Sequence, residues 1–532
     1  MPANSSSSTS PAKPAKGKAV SSSSSTKKIA PPSDAAASSS KPAGSGIKAV
    51  KALSPPKAAA GSSKAAPIKD DAEPKAKRPP IFKPDIYVRI RPLAAEGGHA
   101  EDGTVLQKHL EAWDETSVTI ETQYSFSKGE AKYAYPKKVF GTEATQTEVT
   151  DAMVPDLVAS FADEGQSVLF FAYGQTGTGK TRTMLGTEPS LASATPHDDW
   201  GVFPRVCQAT FEKMAALRQA GTKCVLTASA LEFYLGECYD LLSSSERAGN
   251  APVQIDFLSH LPSGESCVVL EQPSELLAFL AKVIANRSTR ATNFNKASAE
   301  HSGSSRSHAA LILTLMTLDD ARNFSRSSFT LVDLAGAERP DKVHAEKAKA
   351  APGGMEFTPE FLPAIIDARD SGKLTPKKMA ELMPINFQTR VINHELFSLG
   401  SEVVKASEAH RKGKPYAAPK SMVTPTIKFL SAIMDGKARL AMCVTLSPAG
   451  QNAWETWFSL QYGADLAKLH APRRKDKPQN IDKLQKSMAK EAEALKKEVD
   501  GMGKDHRYYP VKKHKADDAA EKLRRLELVL AA

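Results

Sequence analysis

Eight consecutive residues, Gly174-Gln175-Thr176-Gly177-Thr178-Gly179-Lys180-Thr181, combine three glycines with a lysine and a terminal hydroxyl. Glycines in such a run permit φ > 0 and let backbone N–H groups approach phosphate oxygens with no side chain between. Lys180 then supplies a point charge for terminal phosphates, Thr181 a hydroxyl suited to Mg²⁺, and the helix that should follow its positive N-terminal end. A nucleoside-triphosphate site of this kind also needs an acid near the metal and a group that senses the last phosphate. Asp333 ends the apolar run Phe329-Thr-Leu-Val-Asp333, as the metal-side acid of such enzymes does. Gly336, three residues on, can offer its backbone N–H to a γ-phosphate. A third polar cluster, Ser304-Ser305-Arg306-Ser307-His308, places hydroxyls, a guanidinium and an imidazole just before another apolar run. By itself that cluster is equally consistent with a polar turn.

These groups must be held by rigid elements. Ser167-Val-Leu-Phe-Phe-Ala-Tyr173, directly before the glycines, has the apolar run of a central buried strand. Ile86–Ile90 alternates like a half-buried strand. Further strands are expected at Cys224–Tyr234, Ala309–Met316, Phe329–Asp333 and Leu440–Leu446, with helices between them at Glu275–Asn286 and Asn393–Ala406. Alternating strands and helices predict an α/β fold of the phosphate-loop type, with a mixed, mostly parallel sheet covered by helices on both faces.

In order and approximate spacing the three clusters resemble the phosphate loop, switch I and switch II of the kinesin motor family, switch II being Asp333-Leu-Ala-Gly-Ala-Glu338. Further segments are similar: Arg89-Ile-Arg91-Pro92 to the adenine-side segment, Phe140–Gln146 to a Val-Phe-x-x-x-x-x-Gln element, Glu232–Asp240 to the Glu-Ile-Tyr strand, Ile392–Gly400 to an Ile-Asn-Lys-Ser-Leu helix, and Glu455–Leu460 to the last motor helix. The resemblance covers roughly 85 to 470. It implies an ATPase in which Gly174 to Thr181, Arg182, Arg89, Arg91 and Pro92 hold ATP, Lys180 contacts the β- and γ-phosphates, and Thr181 and Ser305 ligate Mg²⁺ with Asp333 acting through a water. Ser304 and Gly336 would complete the γ-phosphate side. Arg306 and Glu338 would form the ion pair that closes the site; a buried charge is costly without its partner, so the two are informative as a couple. The partner implied is the microtubule, and the location the cytoplasm and its cytoskeleton.

The sequence departs from the family pattern in several places. Eight residues separate Asn295 from Ser304, so switch I is longer than usual. Arg182 occupies a position that often carries an aromatic, although a guanidinium plane also stacks on adenine. A long stretch, about 339 to 390, follows Glu338 and carries a short helix with Phe361, Ile365 and Ile366. Lys414-Pro-Tyr416 begins a tubulin-facing segment whose remainder lacks the expected Arg and Asp. Lys347, Lys349, Lys405, Arg411, Lys412, Lys414 and Lys420 are the basic residues available to an acidic filament.

Charge and composition divide the chain. Residues 1 to 80 are Ser-, Ala-, Pro- and Lys-rich and carry 14 basic against 4 acidic residues, which is +10 of the net +11. That stretch lacks the apolar content to offset its ordering entropy and is expected to be a disordered basic tail. The motor-like region is then 81–470, followed by a neck-linker-like segment and short helices at 471–532. Apolar residues Ile481, Leu484, Met488, Leu495 and Val499 stripe a helix from Asn480 to Val499, a weak basis for a homodimer through that helix. A second helix is expected at Ala516–Leu530. No apolar run suits a membrane helix. The five scattered cysteines form no CxxC pair, which suits a reducing compartment and implies neither disulfides nor zinc. Nucleic acid is not the expected partner. Two functions compete: a microtubule motor ATPase that turns γ-phosphate sensing into movement, and a kinesin-like microtubule-binding scaffold with weak or no motility. A GTPase would need an Asn-Lys-x-Asp segment, and the sequence has none.

Overall fold

The run Val168-Leu-Phe-Phe-Ala172 is apolar at every position because both faces of its strand are covered. Leu169, Phe171 and Tyr173 enter one buried cluster, and Val168, Phe170 and Ala172 another. That two-sided burial is the signature of a central strand in a layered α/β structure. The computed structural model describes residues 81–92, 110–120, 131–135, 137–193, 195–243, 253–256, 260–294, 307–336, 361–371, 382, 385–417 and 424–532, all within the unit Ala76–Ala532. The tail of residues 1 to 80 lies outside this set.

The main sheet consists of β1 (Asp85–Ile90), β2 (Val139–Phe140), β3 (Ser167–Tyr173), β4 (Lys223–Tyr234), β5 (Glu237–Asp240), β6 (Val268–Leu270), β7 (His308–Leu318), β8 (Asn323–Asp333) and β9 (Ala438–Leu446), joined by the short Gln479–Asn480. Its order is β6-β4-β7-β8-β3-β9-β1-β2. From β8 to β2 every pair is parallel; from β6 to β8 every pair is antiparallel. The parallel half carries the phosphate loop, and the antiparallel half is built on the long hairpin β7–β8. A separate three-stranded sheet, Leu110–Trp113, Ser117–Ile120 and Ala131–Ala134, packs near the parallel edge and has no counterpart in the sequence-based expectations.

Helices cover both faces. Val202–Gln219 and Pro273–Phe294 lie on one, with Phe203 and Phe279 stacked between them. Ile385–Arg411 and Ala453–Leu466 lie on the other. Several elements exceed their expected bounds. Pro273–Phe294 continues past Asn286 because its polar residues are tied to the body rather than to solvent: Asn286 Nδ2 donates to the Leu241 carbonyl at 2.7 Å. β8 begins at Asn323 rather than Phe329, because its polar half pairs along its whole length with β7. The last helix spans Tyr509–Ala531 rather than starting at Ala516; its polar first turns are held from outside, for example by Lys512 on Glu498 at 2.6 Å.

The segment after the motor-like region runs back along the sheet. Ala471–Pro472 pairs antiparallel with Ile81–Phe82, and Gln479–Asn480 pairs with Asn323–Phe324. Asn480 then caps the helix Ile481–Asp500 by accepting from the Lys483 amide. This helix forms a hairpin with Tyr509–Ala531. Ile481, Leu484, Met488, Leu526 and Val529 join Val225, Met316 and Leu318 of the sheet in one apolar cluster. Gly436 fixes where the segment crosses. Its φ is +72°, and a Cβ there would stand 1.7 Å from the Pro472 carbonyl oxygen. Gly436→Ala is therefore expected to cost at least ~1 kcal/mol and to speed tryptic cleavage after Lys475 and Lys477, which are exposed but held by the crossing segment; unchanged melting and unchanged cleavage would refute this account of the crossing.

Candidate functional site

The phosphate loop follows β3 without a break and enters the short helix Lys180–Met184. Two of its glycines are required for different reasons. Gly179 has φ +93° with nothing within 4 Å of a would-be Cβ, so conformation alone demands glycine and the space before it is open. At Gly174 space decides: a Cβ would lie 2.3 Å from the Thr445 carbonyl oxygen and 2.7 Å from Thr178 Oγ1. The loop is sewn shut from within. Thr178 Oγ1 lies 2.8 Å from the Gln175 carbonyl and 2.7 Å from Thr445 Oγ1 at the end of β9. Lys180, buried, donates through Nζ to the carbonyls of Gly174 and Gln175 at 2.9 Å each. Its ammonium is thus held over the concave side of the loop, where an anionic phosphate chain would draw it away from two neutral acceptors.

Asp333 reaches the loop because β8 and β3 are parallel neighbours in a register that sets Asp333 opposite Ala172. Thr181 Oγ1 lies 3.5 Å from Asp333 Oδ2. The two form an oxygen-only donor pair at the loop's exit, which fits a hard cation such as Mg²⁺. Gly336 is buried three residues beyond. Ser304, Ser305, Arg306, Glu338 and Asn295 lie outside the described residues.

Three residues expected at the nucleotide also make contacts within the protein. Arg89 is half-buried beside the loop, where Nη1 donates to Gln146 Oε1 at 2.6 Å and Thr183 Oγ1 at 3.0 Å. Burial lowers its pKa from the usual arginine value. Gln146 in turn donates to the Arg182 carbonyl at 2.8 Å, so Arg89 braces the helix that carries Lys180 and Thr181. Arg182 extends outward to Asp199 at 3.3 Å and is exposed. Arg91 reaches Ser447 Oγ at 3.4 Å and the Pro92 carbonyl at 3.2 Å.

Three contacts around Asp333 and the strand start at His308 were not foreseen. Arg287, on Pro273–Phe294, places Nη1 2.7 Å from the same Asp333 Oδ2 that faces Thr181, and Nη2 3.2 Å from the Ser307 carbonyl. His308 accepts the Ala335 N–H on Nδ1 at 2.8 Å. A neutral ring therefore carries its proton on Nε2, which faces Glu395 Oε2 of the helix Ile385–Arg411 at 3.7 Å. Ser307 Oγ donates to the buried Glu232 at 2.7 Å. The end of the switch I cluster, the switch II backbone and the long helix therefore meet at one histidine. A lone arginine inside a helix and a histidine at a strand start carry no spacing signal, so only the fold reveals these contacts.

A family model for the kinesin motor domain matches residues 89–354. The chain belongs to the kinesin motor domain family. The kinesin-like protein KIF15 of Rattus norvegicus is 31% identical over 280 residues, covering 51% of this chain and 19% of its own length. The kinesin-like protein KIF11-A of Xenopus laevis is 27% identical over 428 residues, 78% of this chain and 35% of its own. The chain thus spans only 19% to 35% of these two relatives. Among solved structures, the KIF14 dimer with AMP-PNP on a microtubule aligns with TM-score 0.55 at 23% identity, covering 74% of this chain and 96% of that one. A structure titled as a fast kinesin aligns with TM-score 0.51 at 20% identity, covering 74% and 93%. At those identities the structural likeness bears on fold, and it agrees with the helix-flanked mixed sheet. Within this kinesin fold Arg287→Ala leaves the nearly enclosed Asp333 carboxylate without its cation. The expected cost is about 2 kcal/mol of stability in urea unfolding without nucleotide; an unchanged midpoint would show that the pair contributes nothing.

Proposed function

We propose that this chain is an ATP-hydrolysing microtubule motor that uses Mg²⁺. The observation that carries this is the convergence of Lys180, Thr181 and Asp333 at the mouth of a glycine loop. Beside it, His308 accepts from the Ala335 N–H and turns Nε2 toward Glu395 of the helix Ile385–Arg411, 3.7 Å away. In this reading Gly174 to Thr181 hold the triphosphate, Lys180 faces its terminal phosphates, and Thr181, Ser305 and Asp333 hold the metal. Bound Mg²⁺ would supply charge neutralisation on the phosphate oxygens. Arg182, Arg91 and Pro92 flank the adenine side, while Arg89 acts by holding the loop helix in place. Gly336 and Ser304 face the γ-phosphate, and Arg306 and Glu338 close over it as a pair. The protein's contribution is positioning and charge stabilisation, with little covalent work.

The filament side of the reading rests on Ile385–Arg411 and the segment beyond its C-terminal end. Arg411 and Lys414 are exposed at that end, as are Lys405 and Lys412, which also pair along the helix with Glu402 and Glu408. Tyr416 OH donates to Glu402 Oε2 at 2.6 Å and fixes the start of the divergent segment against that helix. Lys347, Lys349 and Lys420 lie outside the described residues. No helix among the described residues is long and apolar enough to cross a membrane. We place the protein on cytoplasmic microtubules. The stripe Ile481-Leu484-Met488 packs within its own chain, which favours a monomeric motor unit over a dimer through that helix.

Steady-state ATPase tests the proposal. Microtubules at low salt should raise turnover severalfold, and Lys180→Ala should lower it by about 100-fold or more; no microtubule stimulation would leave the filament-binding scaffold as the better reading. If Arg306 and Glu338 act as a pair, removing both should cost about as much turnover as removing either. Additive losses would show that they act separately.

A further inference from the structure

The sheet face under Ile385–Arg411 and Ala453–Leu466 is apolar near the phosphate loop, where Phe171, Leu231, Ile312 and Val332 cover it. Further along the same strands and on the same face its character changes. Thr227 on β4 lies opposite Thr314 on β7, and Thr314 lies opposite Ser328 on β8. In the flanking rows Ser229 and Thr330 sit either side of Ile312, and Arg326 lies opposite Met316. A covered sheet face ordinarily carries β-branched and aromatic apolar residues. Here it carries rows of hydroxyls and a guanidinium.

A cavity of about 350 Å³ stands over these rows. The linker residues Arg474 to Lys477 close one side of it, and the C-terminal helices close another with Leu484, Met488 and Leu526. Arg326 lines the cavity, and its side chain is exposed. It makes no hydrogen bond or ion pair with any described residue. The neighbouring acids are mostly committed elsewhere: Glu265 to Arg525 at 2.5 Å, Glu521 to Arg525 at 2.9 Å and Asp518 to Lys522 at 2.7 Å. Asp476 and Glu265 act on Arg326 only from a distance, and desolvation by the surrounding protein lowers its pKa from the usual value. The hydroxyls of Thr227, Thr314 and Ser328 likewise have no hydrogen-bond partner among the described residues. This set of polar groups, gathered beside an apolar sheet face and open to the cavity, is available to water or a ligand.

We propose that this cavity binds a small organic oxyanion, a carboxylate or a phosphate ester. Arg326 would grip the anionic group as a planar fork. The hydroxyls of Thr227, Thr314 and Ser328 would complete its coordination, and Met316, Leu484, Met488 and Leu526 would take its apolar body. The volume suits an organic molecule rather than a bare ion. Because linker residues form one wall, such a ligand binds the chain with its linker laid along the sheet, and by reciprocity it holds the linker there.

The test titrates phenyl phosphate and phenylacetate into the full chain by calorimetry, with benzyl alcohol as the neutral control. Four proteins are compared: wild type, Arg326→Gln, Thr227→Val and Lys180→Ala, the last removing the charge of the phosphate loop. At least one anion should bind wild type and Lys180→Ala alike, and which one binds identifies the head group. Arg326→Gln should weaken it about 10- to 100-fold. Thr227→Val should weaken it by a smaller factor, and it keeps the test open if the arginine variant does not fold. Bound anion should slow tryptic cleavage at Lys475 and Lys477. Failure of both anions to bind would overturn the proposal. So would binding unchanged in both cavity variants, or binding lost in Lys180→Ala and kept in Arg326→Gln.

Discussion

The pairing of β3 with β8 sets the geometry on which the site depends. Parallel strands in a register that places Leu331 opposite Phe170 and Asp333 opposite Ala172 end their runs at the same level. One strand then delivers a glycine loop and the other a carboxylate to the same point. A slip of one residue would turn Asp333 to the other face of the sheet and bury it among apolar side chains. The register is fixed by packing on both sides: Phe170 and Phe329 enter one core, Phe171 and Val332 the other. The apolar interior therefore determines where the chemistry can occur.

From that point the structure extends outward through polar contacts that each occupy a backbone group or a charge. Thr178 and Thr445 lock the loop to β9, and Arg89 and Gln146 lock its helix. His308 accepts from Ala335, just past Asp333, and turns its other ring nitrogen toward Glu395 on the long helix, 3.7 Å away. A change in the backbone after Asp333 thus alters a hydrogen bond whose other end faces that helix. The C-terminal hairpin is a second partner of the same sheet, since its apolar residues close over Val225, Met316 and Leu318 at the far end of the strands.

Legibility in the sequence followed the strength of local signals. The phosphate loop, its strand and Asp333 were readable because glycine spacing and two-sided apolar runs have few other causes. The C-terminal helix was readable from Asn480 to Val499 because an apolar stripe at helical spacing marks it. The polar half of β8 was not, because Asn323 to Ser328 looks like a loop until its pairing with β7 and the cavity beside it are seen. The protein contacts of Arg89 were not legible for a related reason. Its motif places it near the nucleotide, but only the fold shows that its guanidinium turns beside the loop to Gln146 and Thr183. Arg287 was invisible, since nothing in a helical Asn-Arg-Ser-Thr reveals a partner 46 residues away.

The central claim is that the phosphate site and the surface around Ile385–Arg411 act as one coupled unit. Co-sedimentation with microtubules in AMP-PNP and in ADP measures that coupling directly, because any difference in affinity must pass through the protein. The account predicts that the two affinities differ by about 10-fold or more, and that Lys180→Ala collapses the difference. Equal affinity in both nucleotides, with binding intact, would contradict it.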